Sequence, residues 1–124
     1  MKLGGLQAEF AFGVLLVSDE DSTEQIPSWA SPDEQVTATG SAAVVRVQHP
    51  DEGPVVLRVW DSDESVMGAC AFDSRLEVSS GIVKVSDAMG TVWLAFAVPP
   101  GACRLQVFVN SSVEADELDL VLGP

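Results

Sequence analysis

The side chains able to do chemistry in this chain are mostly carboxylates, and they come in clusters. Residues 18–35 read SDEDSTEQIPSWASPDEQ, in which Asp19, Glu20, Asp21, Glu24, Asp33 and Glu34 flank one tryptophan, Trp29, with no Lys, Arg or His among them. Residues 61–65 read DSDES. Clustered oxygens of this kind suit calcium, a hard cation that prefers carboxylate ligands. Both segments begin as an EF-hand loop begins, with acids at alternating positions, and neither continues as one. Counted from Asp61, the glycine position falls on Val66 and the closing glutamate position on Phe72; from Asp19 they fall on Glu24 and Ala30. A calcium site would then need loops gathered at one end of a β-sandwich, with Asp19, Asp21, Asp61, Asp63 and Glu64 as ligands beside the acids at 51–52.

Other chemistry finds little to work with. The one histidine, His49, precedes Pro50 at a turn, and a nucleophile–base pair needs a His held by a second group. One His and two distant cysteines, Cys70 and Cys103, do not make a tetrahedral zinc site. There is no GxGxxG, no phosphate-binding loop and no basic patch. Paired carboxylates serve glycosidases, but close pairs arise by chance among 19 acids, and a chain with no tyrosine offers little to line a substrate cleft. The expectation is a non-enzymatic protein without a cofactor.

The charge points to the kind of partner. Nineteen acids against six bases give a net charge of −13, and both halves of the chain are negative. Such a field repels nucleic acid and anionic membrane and attracts cations and basic proteins. Hydrophobic residues make up 47% of the 124, enough for a packed core and unlike a disordered acidic tail. The apolar run near the N-terminus is broken by Glu9 and lacks a cleavage site, so it reads as a first strand rather than a signal peptide. No stretch is long enough to span a membrane as a helix. Two cysteines in such a chain fit a reducing cytoplasm better than a disulfide scaffold, with their thiol or disulfide state left open.

The elements that must position these residues are strands. Apolar residues recur with period two, as in ELDLVL at 117–122, where Leu118, Leu120 and Leu122 would face the core and the intervening positions mostly solvent. The pattern predicts about eight strands, near 8–17, 36–39, 43–49, 54–60, 69–78, 81–86, 91–98 and 102–110, with 117–122 as a ninth. Turn sequences separate them: HPDEGP at 49–54, SSG at 79–81, DAMG at 87–90 and PPG at 99–101. That spacing predicts an all-β fold, a single antiparallel β-sandwich domain over 1–124. One short helix is expected within 28–36, capped by Ser31 and opened by Pro32.

Strand phase also places the aromatics. In PVVLRVW, Val55, Leu57 and Val59 share one face, and Val56, Arg58 and Trp60 the other, wetter one. In TVWLAFAV, Trp93 lies opposite the apolar set Val92, Leu94, Phe96 and Val98. Trp29 sits in the acidic loop. All three tryptophans thus fall away from the expected core, where they would anchor a protein interface.

With this strand order, the chain resembles the competence protein ComJ family and related bacterial immunity-type β-sandwiches over roughly residues 10–110. IPSWASPDEQV (26–36) is similar to the family's Trp, Thr/Ser and acidic segment. TGSAAVVRV (39–47) is similar to its glycine and following strand, ACAFDSRLEVSSGIVKVSD (69–87) to an internal strand, turn and next strand, and FAVPPGACRLQVFV (96–109) to its closing strand. Cys103 stands where that closing strand carries Tyr. The resemblance implies an immunity protein or inhibitor that silences a nuclease or other toxin. In that reading Trp29 anchors the complex, Asp19, Glu20, Asp21, Glu24, Asp33 and Glu34 steer a basic partner, and Trp60 and Trp93 add contacts. A calcium-binding module and a weak homodimer joined through exposed tryptophan faces are the alternatives.

Overall fold

The computed structural model describes residues 1–22, 29, 34–64, 66, 68–112 and 114–123. Ten strands form two five-stranded sheets. They are β1 (Lys2–Ala8), β2 (Val14–Asp19), β3 (Val36–Ala38), β4 (Ala42–Arg46), β5 (Val55–Trp60), β6 (Ala69–Val78), β7 (Ile82–Asp87), β8 (Trp93–Ala97), β9 (Gly101–Val109) and β10 (Glu117–Gly123). One sheet runs β1-β5-β10-β9-β6 and the other β3-β4-β2-β7-β8. Among the described residues there is no α-helix, and none long and apolar enough to cross a membrane. The helix expected at 28–36 lies mainly outside the described residues; 34–36 leads straight into β3.

The expected first strand, 8–17, is in fact the junction of two. Phe12 (φ 61°) and Gly13 (φ 65°) both adopt left-handed backbone, which ends β1 and turns the chain into the other sheet. Gly13 is required there: a Cβ would also lie 3.0 Å from the Val47 carbonyl oxygen. Gly4 and Gly5 hid β1 from the sequence pattern, because glycine is a poor strand former. Among the described residues the count is therefore ten strands rather than eight or nine.

The sandwich is not wholly antiparallel. β10 slots between β5 and β9, parallel to the first (Asp119 beside Arg58) and antiparallel to the second (Asp119 beside Phe108). Parallel neighbours need a long crossover, and here the whole passage through β6–β9 supplies it. Being central, β10 is covered on both faces. Leu118, Leu120 and Leu122 join the core as expected, but Asp119 and Val121 on the other face are buried too.

The core lies between the sheets. Val55, Leu57 and Val59 of β5 meet Leu15 and Val17 of β2 and Val83 and Val85 of β7, with Leu94 and Phe96 of β8 packed at the margin. These runs alternate, so the phase read from the sequence puts the right side chains inside. Asp19 continues the Leu15–Val17 phase, and its carboxylate is buried at the end of β2.

Candidate partner-binding surface

Strand register defines the two ends of the sandwich. Val14 pairs with Arg46 at one end of β2, and Ser18 with Ala42 near the other. At a rise of ~3.3 Å per residue, Asp19 lies about 16 Å from Val14. Trp29 belongs to the Arg46 end, where the guanidinium carbon of Arg46 sits 4.4 Å from the indole centroid in a cation–π contact.

Backbone hydrogen bonds gather distant segments at that end. Arg46 N–H donates to Gln35 O (2.8 Å), Val47 N–H to Gly13 O (2.9 Å) and Gln48 N–H to Ala115 O (2.9 Å). His49 is exposed at its turn, as expected, and its Nδ1 accepts from Asp51 N–H at 3.2 Å, capping the 3-10 turn Pro50–Glu52. The result is a groove of about 400 Å³ lined by Phe12, Val14, Trp29, Arg46, His49 and Glu114, among others. Phe12 stands at its mouth with its side chain in solvent, 71% exposed, on the strained backbone that joins β1 to β2. Left-handed backbone at a bulky residue persists only when the surroundings impose it, and such residues cluster at functional sites. Beside the groove, a hydrogen bond with Glu52, together with the repulsion between the two charges, holds the Glu114 carboxyl above the usual carboxylate range.

Of the four described charges predicted to surround Trp29, three lie elsewhere. Glu20 and Asp21 are exposed at the far end of β2, and Glu24 and Asp33 lie outside the described residues. Glu34 is half-buried near the start of β3, on the Trp29 side. Asp19 is not a rim charge at all. It accepts hydrogen bonds from Ser80 Oγ, Ser79 Oγ (3.2 Å) and Asp21 N–H (3.4 Å), so it ties the end of β2 to the β6–β7 turn. The Ser80 hydroxyl above all, with Asp21 N–H and the Ser79 hydroxyl, outweighs burial and holds the Asp19 carboxyl below the usual range. Among the described acids, Glu114 lines the groove, Glu52 is hydrogen-bonded to Glu114, and Asp51 Oδ2 lies 3.5 Å from Nδ1 of the lining His49, so two other loops bring acid to this end.

The calcium reading does not assemble. Among the described residues, which include Asp19, Asp21, Asp61, Asp63 and Glu64, no three acidic, His or Cys side chains gather as a metal site. Asp19 is occupied by the two serines, and Asp61 Oδ1 accepts from the N-terminal ammonium at 2.7 Å.

The three tryptophans divide between opposite faces. Trp60 lies on the outer face of the β1-β5-β10-β9-β6 sheet, where its indole N–H donates to Asp119 Oδ1 at 2.8 Å. Arg58 grips the same carboxylate through Nε (2.8 Å) and Nη2 (3.3 Å) and reaches Glu117 through Nη1 (3.3 Å). Asp119 thus has a structural task that simple alternation missed; its signal was an acid on the wet face of a strand beside Arg58. Trp93 belongs to β8 of the other sheet, and Trp29, outside any strand, stacks with Arg46 of that sheet's β4. Trp93 is 57% exposed on its outer face, with Lys84 Nζ 5.8 Å from the ring centroid. Phe12 escaped the sequence reading, and the Phe-Gly pair interrupting an otherwise strand-like run was its only signal. The cysteines are both free, Cys70 exposed and Cys103 buried.

No protein-family profile matches the sequence, and no curated protein matches it significantly. A solved structure does match in three dimensions: the crystal structure of ComJ, inhibitor of the DNA degrading activity of NucA, from Bacillus subtilis. The two share 16% sequence identity and superpose with a TM-score of 0.77, over 99% of this chain and 96% of that one. The ten strands described above are thus arranged in a ComJ-like fold.

Proposed function

We propose that this chain is a non-enzymatic inhibitor that binds a DNA-degrading nuclease and blocks its DNA-binding cleft, acting as an immunity protein in the cytoplasm of the cell that makes the nuclease. The observation that carries this reading is the match, over nearly the whole of both chains, to the fold of a nuclease inhibitor. The charge supports it independently. Nucleases that hold DNA present basic clefts, and a surface of net charge −13 complements them, speeding association and discouraging acidic competitors. The groove at the Arg46 end supplies what charge alone lacks. Trp29 and Phe12 are aromatic anchors, and Asp51, Glu52 and Glu114 are the acidic rim around them.

The test is a plasmid-degradation assay run by NucA, and in parallel by each nuclease encoded next to this protein's gene, with the purified protein titrated in. Cleavage should stop at stoichiometric addition with at least one of these enzymes. Trp29→Ala should keep the far-ultraviolet spectrum of the native fold and lose about thirtyfold in affinity, which is the ~2 kcal/mol of a buried aromatic hot spot. Undiminished DNA degradation by every nuclease tested, at micromolar inhibitor, would remove this reading.

A further inference from the structure

Each sheet has two edges, and an edge strand offers unpaired N–H and C=O groups to any strand that approaches. Three of the four edges here carry protection. β6 bears Asp73, Arg75 and Glu77 and a bulge at 70–72. β1 bears Lys2 and a bulge between Lys2 and Gly4. β3 is three residues long. β8, WLAFA, has no charge, no proline and no bulge, and among the described residues nothing pairs with its outer side. It lies inside the longest uncharged run of the sequence, residues 88–103, in a chain in which one residue in five is charged.

The surroundings of β8 are apolar as well. Gly4 of β1 packs against the Phe96 ring, close enough that a Cβ would lie 3.1 Å from it, so the β1 and β8 edges share one flank of the sandwich. Five large hydrophobic side chains are exposed among the described residues, and four of them lie along this flank: Met1 just before β1, Leu3 in β1, Met89 in the turn before β8 and Trp93 in β8.

We propose that this flank pairs with a second copy of the chain, β8 against β8 in antiparallel register about Ala95, joining two five-stranded sheets into one of ten. Charge selects the occupant. A basic partner has no carboxylate to meet along 88–103, whereas two copies carrying −13 each repel least where neither is charged. Lys84, which pairs with Ala95 in β7–β8 register, adds local positive charge that reduces the repulsion further. The sequence is also self-complementary. A two-fold axis through Ala95 sets Trp93 opposite the partner's Ala97 on the outer face, large against small, and Leu94 opposite the partner's Phe96 on the core side. An isologous two-fold contact requires self-complementarity of this kind. The dimer leaves the Phe12–Trp29 groove free at the Arg46 end.

Light scattering or sedimentation from micromolar to submillimolar concentration, in moderate salt to screen the net charge, tests this directly. The wild-type chain should show twice the 13.1 kDa monomer mass. Ala95→Lys, at an exposed position, places two ammonium groups at the axis and should halve the measured mass, and Trp93→Gln should weaken the dimer without adding charge. Phe12→Gly, on the groove, should leave the dimer intact. Amide hydrogen exchange gives a reading that needs no variant, since protection of residues 93–97 should rise with protein concentration. A wild-type mass of 13.1 kDa across the whole range, or an Ala95→Lys protein that folds and keeps the doubled mass, would overturn the proposal.

Discussion

Asp19→Ala separates a structural carboxylate from a steering one. The wild-type side chain is 4% exposed and accepts three hydrogen bonds, from Ser80 Oγ, Ser79 Oγ and Asp21 N–H. A hydrogen bond to a charged acceptor contributes ~1.5–3 kcal/mol, three on one group do not add fully, and burying the carboxylate offsets part of the gain. The expected loss is ~2–4 kcal/mol, roughly 10 °C in Tm for a chain of this length. The effect should depend on pH with a definite sign. The folded-state carboxyl is held below the ordinary aspartate value of 3.8, so its contribution is complete above about pH 5 and fades as pH falls through 3.8 toward the folded value. Urea melts of wild type and variant from pH 7 down to pH 2.5 should therefore differ most at neutral pH and converge in acid. Equal stability at pH 7, combined with slower association with a nuclease, would refute the argument and return Asp19 to the rim.

Two further substitutions test the groove and the outer face. Phe12→Gly exchanges a left-handed phenylalanine for the residue that adopts φ 61° without strain, and the lost ring was mostly in solvent, so a thermal melt should show unchanged or higher stability, by about 1 kcal/mol. The same variant should bind the nuclease more weakly, and binding at wild-type strength would show that the strain serves no contact. Asp119→Ala leaves the Arg58 guanidinium with Glu117 alone and the Trp60 indole without its acceptor. Removing one partner of a buried ion pair costs ~3–5 kcal/mol, and the 30% exposure of the Arg58 side chain places this case near the lower end, measurable as a shifted urea midpoint at constant slope.

Period-two alternation carried most of the fold. It located eight of the ten strands within a few residues and assigned the core faces of β5, β8 and β10, because a half-buried strand writes its environment into every second residue. It failed where the physics is not periodic. Gly4 and Gly5 mask β1, since strand propensity counts side chains and β1 is held by its pairing with β5. The left-handed pair Phe12–Gly13 looks like two more residues of a continuous apolar run. Alternation also says which face a residue takes but not which strand lies beside it, so the parallel placement of β10 could not be read. For the site, composition pointed to a basic partner and phase put the tryptophans outside the core. Proximity in sequence did not foretell where the described acids lie. Asp19, Glu20 and Asp21 precede Trp29 closely in the chain, yet they sit at the opposite end of β2, while Glu114 reaches the groove from a segment far away in sequence and brings Glu52 with it. Extending the Leu15–Val17 phase by one step would have placed Asp19 inside.

The position of β10 governs the order in which the fold can be completed. It is the last of the ten strands to leave the ribosome, and it occupies the centre of its sheet, hydrogen-bonded to β5 on one side and β9 on the other. Until it arrives, the pair β1 with β5 and the pair β9 with β6 are two separate ribbons, each with an unpaired edge toward the gap, so this sheet closes only once residues 117–123 have emerged. A nascent chain released before residue 117 would lack Leu118 and Leu120 from the core and expose both of those edges at once, the condition under which strand-rich chains aggregate. A fusion joined after Gly123 leaves this closure intact, whereas a frameshift anywhere upstream removes it.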